Sequence, residues 1–224
     1  MKTPQPRAGV LRISPYVQGK STIEGYDEPI KLSSNESSYG PSPKAVSAYI
    51  AASAVLHRYP DGGQWALREA IAQVHGLDPA NIVCGNGSEE LLGLMIRAYA
   101  GDGDEVLLSE NGFVMCSIYT HAQGATPVFA PERNYCIDVD ALLSRVTPRT
   151  RIVCIANPNN PTGTYISRGA VRRLHARLPP GVLLILDGAY AEYVMQADFD
   201  AGEDLVKDFA NVVMTRTFSK IYGL

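Results

Sequence analysis

The sequence predicts an α/β fold built on a mostly parallel β-sheet. Continuous apolar segments of strand length, such as 151–156 and 182–187, alternate along the chain with segments of helical periodicity. Strands that are apolar on both faces are typical of parallel sheets, because helices cover such sheets on both sides. With 224 residues, the chain is long enough for one large domain, or for one domain and part of a second.

Each element has its own signal in the sequence. Helical spacing predicts helices over 43–55, 64–74, 89–99, 112–122, 139–145 and 167–178. Apolar or β-branched runs predict strands over 82–84, 105–108, 126–130, 151–156, 182–187 and 211–215. Gly76 is placed to end the second helix, and Ser88 is suited to cap the third at its N-terminus.

Composition and charge exclude several classes of partner. Hydrophobic residues make up 46% of the chain, charged residues 19%, and the formal net charge is −3. This balance gives no electrostatic reason to expect a nucleic acid or an anionic membrane. The cluster of arginines at 168, 172, 173 and 177 has the spacing of a solvated helix face. No apolar stretch is long enough to span a membrane or to act as a secretion signal.

Cysteine and histidine usage predicts neither disulfides nor a metal site. The four cysteines are widely spaced, form no CxxC pair and have no nearby histidine ligands. We therefore expect free thiols in a cytoplasmic protein. The four histidines are scattered and need no catalytic role, and His75 at a helix C-terminus suits the helix dipole.

Two turn segments follow predicted strands, where open α/β sheets bind their ligands. The turn 85–90 leads into a helix N-terminus that favours an anion, although an ordinary strand-to-helix turn would look the same. Glu90 stands where a dinucleotide fingerprint would have its third glycine. The string Asn-Pro-Asn-Asn-Pro-Thr-Gly at 157–163 holds Asn157 at a strand tip, where its amide could donate to a bound oxygen; a rigid turn is the alternative.

Two further strand ends carry titratable groups. Asp187 ends an apolar strand and Tyr190 follows it. A carboxylate there is costly to bury unless a cation such as a protonated ring nitrogen meets it; a helix N-cap is the alternative. Lys220 stands beside the hydroxyls of Thr217 and Ser219, which suits a Schiff base next to a phosphate site, although most lysines are simply solvated.

The order and spacing of these four segments resemble those of fold-type I pyridoxal-phosphate enzymes, in the class II aminotransferase group. Asp187 lies 30 residues after Asn157, and Lys220 lies 33 residues after Asp187. Further strings resemble the histidinol-phosphate aminotransferase branch, namely those at 13–20, 31–36, 40–43, 58–62 and 217–224. The chain departs from that family at Ser37-Ser38-Tyr39, where Asn-Pro is common after Asn-Glu, in a loop that approaches the substrate.

The resemblance implies an enzyme with pyridoxal 5'-phosphate as its cofactor. Lys220 would bind the cofactor and then act as the base that moves the substrate's α-proton. Asp187 would keep the pyridine nitrogen protonated, Asn157 and Tyr190 would bond the phenolate oxygen, and Phe113 would stack on the ring. The remaining implied cofactor residues surround the phosphate: Tyr59, Gly87, Ser88, Glu89, Thr217 and Ser219. The implied substrate residues are Tyr39 and Asn157.

The implied reaction interconverts histidinol phosphate and 2-oxoglutarate with imidazole-acetol phosphate and glutamate, in histidine biosynthesis. Tyr59 would reach the cofactor phosphate of a neighbouring subunit, which implies a homodimer with composite sites. Three alternatives share the same residues: an aromatic aminotransferase, a threonine-phosphate decarboxylase, and a non-catalytic remnant that binds the cofactor or a partner subunit.

The resemblance also implies a domain organisation. An N-terminal arm and small-domain segment would span 1–43, and a three-layer, mostly parallel large domain would span 44–224. Full-length relatives continue past the lysine motif with the last strand of the sheet and a small domain. We therefore expect this chain to be an incomplete form that lacks both. The missing strand would leave the strand at 82–84 without a neighbour and expose a sheet edge.

Overall fold

Five parallel strands form the central sheet of the computed structural model, which describes residues 4–17 and 19–224. The strands of the described residues are β1 (Glu105–Ser109), β2 (Thr126–Ala130), β3 (Glu132–Arg133), β4 (Cys136–Ile137), β5 (Thr150–Ala156), β6 (Leu183–Asp187) and β7 (Val212–Thr215). The sheet order is β2-β1-β5-β6-β7, and β3 and β4 form a separate antiparallel pair. Parallel pairing brings the carboxyl ends of the five strands to one edge.

Helices connect the strands and cover the sheet. The α-helices are α1 (Pro43–Ala52), α2 (Trp65–His75), α3 (Gly87–Tyr99), α4 (Val114–Ala122), α5 (Val139–Ser144), α6 (Arg168–Arg177) and α7 (Glu203–Asp208). Short 3-10 helices span Val10–Arg12, Ser53–Val55, Pro79–Asn81 and Ala191–Tyr193. Side-chain caps fix several helix starts, as where the Ser167 hydroxyl accepts from the Ala170 N–H. Gly76 ends α2 in the left-handed conformation, as predicted.

The core lies in two layers, one on each face of the sheet. Alternate residues of β5 point to opposite faces, so Val153 joins one apolar cluster and Ile152 the other. The first cluster packs the sheet against α5, α6 and α7, and the second packs it against α3 and α4. Leu174 of α6 is fully buried in the first cluster, and Leu92 of α3 in the second. The architecture is therefore the predicted three-layer α/β sandwich.

Two sequence-based expectations about local structure are wrong. Ile82 has an extended backbone, but 82–84 pairs with no other strand of the described residues. An extended segment becomes a strand only when a hydrogen-bonded neighbour is present, and β7 is the last strand on its side of the sheet. Ser88 is not the N-cap of α3, because the helix begins at Gly87 and Ser88 lies in its first turn. The β3–β4 pair and α7 were not predicted from the sequence.

The outer surfaces show two different kinds of exposure. The predicted arginine face of α6 is solvated, and its members form ion pairs with Asp204 and Asp140. In contrast, α1 contains no buried residue, and apolar side chains around it such as Tyr49 and Leu56 are 78% and 81% exposed. The proposed division of the chain at residue 43 therefore falls at the start of a helix that does not pack into the core.

Candidate active site

The candidate site is built on the carboxyl ends of β5, β6 and β7. The N–H of Asn157, just after β5, donates to the carbonyl oxygen of Asp187 at 2.9 Å. Thr215 at the end of β7 donates its hydroxyl to Asp187 Oδ1 at 2.8 Å. The first bond extends the sheet pairing by one residue, and the second holds the Asp187 side chain at the edge where parallel sheets bind ligands.

Asp187 is a buried acid with an unusual electrostatic environment. Its side chain sits at the end of an apolar strand, and the residue is only 5% exposed. Burial raises the pKa of this carboxyl above its usual value. Hydrogen bonds from Thr215 and the Ala189 N–H, the charge of Lys220 and a hydrogen bond from Ser88 act in the opposite direction without outweighing the burial. The site therefore favours an additional cation beside Asp187.

Lys220 and Tyr190 come together at this edge from different segments. Lys220 is half-buried, and its Nζ lies 5.6 Å from the centroid of the Tyr190 ring. The Tyr190 hydroxyl accepts a hydrogen bond from the side-chain amide of Asn35 at 2.9 Å. The N-terminal segment thus reaches the site through Asn35. In the sequence, Asn35 stood out only as part of the string at 31–36.

The hydroxyls of the lysine segment lie beside the first turn of α3. The hydroxyls of Thr217 and Ser219 are 2.8 Å apart, and a Cβ added to Gly87 would stand 3.4 Å from Thr217 Oγ1. The side chain of the N-cap residue Asn86 makes no capping hydrogen bond to α3. The Gly87 N–H already donates to the Gly85 carbonyl at 2.9 Å, so the donor predicted there is engaged. The first turn of α3 thus lies beside the hydroxyl pair, and a helix N-terminus favours an anion.

The Asn-Pro-Asn-Asn-Pro-Thr-Gly turn is held by its own amides. Asn157 forms two bonds with the backbone of Ile166, donating from Nδ2 at 3.0 Å and accepting at Oδ1 at 2.9 Å. Its amide nitrogen carries a second hydrogen, so the side chain can donate once more. Buried Asn159 donates to the Asn111 carbonyl and to Thr162. The string is thus both the rigid turn and the polar strand tip that the sequence predicted.

Two cavities open beside these residues. The first, of about 350 Å³, is lined by Phe113 at the N-terminus of α4, by Asp187, and by the buried thiols of Cys116 and Cys154. The second, of about 400 Å³, is lined mainly by Asn, Pro and Tyr side chains, among them Asn35, Tyr190 and Tyr193. The structure therefore brings Phe113 to the same cavity as Asp187, as a stacking role requires.

Two predicted residues, Tyr39 and Tyr59, do not meet the cluster, and Glu89, which was predicted only for its backbone N–H, uses its carboxylate elsewhere. Tyr39 is 98% exposed, although the adjoining Gly40 backbone packs against Gly223 at the end of the lysine segment. Tyr59 is fully exposed and contributes nothing to this chain's own site. The Glu89 carboxylate accepts from Tyr119 at 2.9 Å instead, so only the Glu89 backbone is placed for an anion.

The surroundings of the four cysteines and of His75 fit structural roles. All four cysteines are free, and Cys116 and Cys154 are buried in contact with each other at 3.2 Å between sulfurs. Burial and the neighbouring thiol raise the pKa of Cys154. His75 ends α2, and its Nδ1 lies 3.5 Å from a Glu203 carboxylate oxygen. Within residues 4–17 and 19–224, the structure contains no helix long and apolar enough to cross a membrane.

Comparison with known proteins places this arrangement in a family. The model of the family "Aminotransferase class I and II" matches residues 27–224. Histidinol-phosphate aminotransferase of Rhodospirillum centenum is 57% identical over 224 residues, which is all of this chain and 62% of that protein. The corresponding protein of Dinoroseobacter shibae is 58% identical over 222 residues, which is 99% of this chain and 60% of that protein. The chain thus spans about three fifths of the length of these curated relatives.

Solved aminotransferase structures match the fold of this chain as well. The histidinol-phosphate aminotransferase of Sinorhizobium meliloti, in complex with pyridoxal-5'-phosphate, matches with a TM-score of 0.81 and 34% identity, over 85% of this chain and 52% of that one. A putative histidinol-phosphate aminotransferase from Erwinia carotovora matches with a TM-score of 0.83 and 26% identity, over 94% of this chain and 60% of that one. The chain therefore belongs to the class I and II aminotransferase family.

Proposed function

We propose that this chain carries the cofactor site of a pyridoxal 5'-phosphate-dependent aminotransferase that interconverts histidinol phosphate and 2-oxoglutarate with imidazole-acetol phosphate and glutamate. One observation carries the proposal: Asp187, Lys220 and the hydroxyl pair of Thr217 and Ser219 converge at the carboxyl edge of a parallel sheet. The identity of 57% to a histidinol-phosphate aminotransferase supports this choice of substrate.

The residues present fit the cofactor at three points. Buried Asp187 favours a cation, and a protonated pyridine nitrogen supplies one. The N–H groups of Ser88 and Glu89 and the hydroxyls of Thr217 and Ser219 suit a phosphate dianion. Phe113 lines the same cavity as Asp187 and offers an aromatic face to the ring. When bound, pyridoxal phosphate acts as an electron sink for negative charge that develops at the substrate's Cα.

Residues of this chain would then have separate roles in binding and proton transfer. Lys220 holds the cofactor and moves a proton at the substrate's Cα, for which its half-buried amine is suitably placed beside Tyr190. Tyr190 and the second N–H of Asn157 donate to the oxygen on the ring. Gly87 allows the phosphate turn to approach Thr217 closely, because a side chain at this position would fill the space between them.

The exposure of Tyr59 supports a homodimer with composite sites, which is part of the proposal. Tyr59 is fully exposed here, so in our proposal its hydroxyl serves the cofactor phosphate of the second subunit. Tyr39 is equally free to contact a substrate at the rim. Both apolar core clusters lie within residues 92–213, which supports our division into an N-terminal segment at 1–43 and a cofactor-binding domain at 44–224. Free thiols at all four cysteines support a cytoplasmic location for the enzyme.

The first experiment is a spectral titration with pyridoxal phosphate. The purified chain and a Lys220→Ala variant are compared, with Lys207→Ala, an exposed lysine of α7, as the matched control. We expect a visible band in the wild type and in the control that is absent from Lys220→Ala. A well-folded wild-type chain that gives no lysine-dependent band would refute the proposed cofactor site and leave a non-catalytic remnant.

The substrate is tested separately. Histidinol phosphate with 2-oxoglutarate should yield glutamate in amounts that depend on Lys220. Release of carbon dioxide from O-phosphothreonine would instead identify a decarboxylase, and preference for an aromatic amino donor would identify an aromatic aminotransferase. If the wild-type chain forms no glutamate, either alone or with added cofactor, the assignment of activity to this chain is overturned.

The composite site predicts complementation. Tyr59→Ala and Lys220→Ala chains should each be deficient, but a mixture refolded together forms some dimers in which one site has both native residues. We expect the mixture to recover part of the wild-type activity. Tyr59→Ala together with a second Tyr59→Ala preparation is the control. Equal activity of the mixture and the separate variants would contradict a site shared between subunits.

A further inference from the structure

Arg216 makes a two-armed contact that the cofactor site itself does not explain. It stands between Thr215 and Thr217, on the segment that leads to Lys220. Its Nη2 lies 2.5 Å from a Glu192 oxygen and its Nη1 lies 2.7 Å from a Glu203 oxygen. The three side chains are only 20%, 17% and 23% exposed, so solvent screens these ion pairs poorly.

The Glu192 arm ends beside the site. Glu192 lies in the 3-10 helix Ala191–Tyr193, two residues after Tyr190. The aliphatic part of the Arg216 side chain also packs on the turn between Asp187 and Tyr190. A Cβ added to Gly188 in this turn would stand only 3.2 Å from Arg216 Cδ. Arg216 therefore ties the turn that carries Tyr190 to the segment that carries Lys220.

The Glu203 arm ends away from the site. Glu203 is the first residue of α7, and its second oxygen accepts from the Ala201 N–H at 3.1 Å. Its first oxygen also lies 3.5 Å from His75 Nδ1 of α2. This arm ties Arg216 to two helices away from the site, whereas the Glu192 arm ties it to the turn that carries Tyr190.

We propose that Arg216 is a positioning residue, which sets the placement of Lys220 relative to Tyr190 and thereby the orientation of the bound cofactor. The inference rests on the proposed function, because it assigns an effect on pyridoxal phosphate. A planar guanidinium with two separate N–H faces can serve two carboxylates at once, whereas a lysine ammonium is a single point on a flexible stem. The geometry therefore requires arginine, and lysine is a poor substitute.

The test separates positioning from general stability. The variants are Arg216→Met, Arg216→Lys, Glu192→Gln and Glu203→Gln. The matched control is Arg172→Met, which removes an exposed arginine paired with Asp204 at 3.1 Å. For each protein we would measure urea unfolding without cofactor, the dissociation constant of pyridoxal phosphate, and the visible circular dichroism per bound cofactor. The last of these reports the orientation of the chromophore and does not follow from loss of stability alone.

We expect Arg216→Met and Glu192→Gln to weaken pyridoxal phosphate binding about tenfold, a typical effect for breaking a poorly screened ion pair. Both should lower the visible circular dichroism per bound cofactor, and Arg216→Lys should recover only part of it. Glu203→Gln should reduce the stability to urea with little change in the dichroism, and Arg172→Met should alter neither. Glu192→Gln keeps the bond from Arg216 to Glu203, so it remains informative if Arg216→Met fails to fold.

The possible failures are distinguishable. No Lys220-dependent band in the wild type would refute the proposed function, and with it the basis of this inference. A normal wild-type band with wild-type dichroism and affinity in both Arg216→Met and Glu192→Gln would overturn the positioning role alone. An equal loss of dichroism in Glu203→Gln and Glu192→Gln would also overturn it, because the network would then act as one structural unit.

Discussion

The buried carboxyl of Asp187 predicts a conflict between stability and cofactor binding, which Asp187→Asn should expose. Burial raises the pKa of Asp187 even though Thr215, the Ala189 N–H, Lys220 and Ser88 all favour the anion. The folded protein without cofactor therefore holds the ionised form at a net cost. Asparagine keeps the shape and can still accept from Thr215, and it removes the buried charge. We expect it to stabilise the cofactor-free protein by about 1 kcal/mol at pH 8, a modest part of the cost of burying an ion.

The pH dependence gives this prediction its sign. Below the unfolded pKa, for which 3.8 is the reference value, Asp187 is protonated in both states and the variant gains nothing. As the pH rises through the raised folded pKa, the unfolded chain ionises more readily than the folded one, and the wild type loses stability that the variant keeps. The difference in free energy of unfolding should therefore grow from near zero below the unfolded pKa to its full value once the pH exceeds the raised folded pKa.

Urea unfolding at several pH values, with and without pyridoxal phosphate, measures both sides of the conflict. With the cofactor, Asp187→Asn should bind at least about tenfold more weakly, because a buried charge pair has lost one partner. Asp140→Asn is the control, since Asp140 is 66% exposed and its loss should change stability by no more than about 1 kcal/mol. A cofactor-free Asp187→Asn protein less stable than the wild type at pH 8 would refute the reasoning.

Three further substitutions test local features of the site. Gly87→Ala should cost about 1 kcal/mol in unfolding free energy because φ of Gly87 is +74°, and it should also weaken pyridoxal phosphate binding. Gly76→Ala is the control, because Gly76 has a φ of +62° and lies away from the site. It should cost a similar amount of stability and leave binding unchanged. Asn159→Ala removes two hydrogen bonds from a buried amide and should lower the urea midpoint by the equivalent of about 1–3 kcal/mol. Burial and the bond to Glu89 raise the pKa of Tyr119 to about 12, so ultraviolet titration of Tyr119→Phe should lack a phenol that ionises at this high pH.

The sheet was predictable because its signal is local and repeated. All five of its strands begin and end within one residue of the predicted bounds, and β2 matches at both ends. A strand buried on both faces is written as a continuous apolar run, and no distant partner is needed to read it. The segment 82–84 has the same local signal, but it pairs with no strand of the described residues, and pairing depends on contacts that a local pattern does not encode. The β3–β4 pair, at two residues per strand, is too short to give any periodicity.

The site was only partly predictable, for a related reason. Asp187, Asn157 and Lys220 could be found because parallel strands bring their carboxyl ends to one edge, so the sequence order alone implies their proximity. Asn35 reaches Tyr190 across 155 residues, and no pattern in the sequence indicates that contact. The engagement of the Gly87 N–H by Gly85 depends on a local backbone angle that composition does not determine.

Arg216 shows where the two kinds of information meet. Beside Thr217 and Lys220 in the sequence, it resembles one more polar residue of the lysine motif. Its partners lie on α7 and on the turn after β6, so their contact depends on how those elements pack around the end of β7. A residue that binds a ligand directly can be recognised from its place at a strand end, whereas a residue that positions another must be read from the packing. If Arg216→Met alters the orientation of the cofactor, then the residues that control this orientation include helix residues packed behind the strand ends.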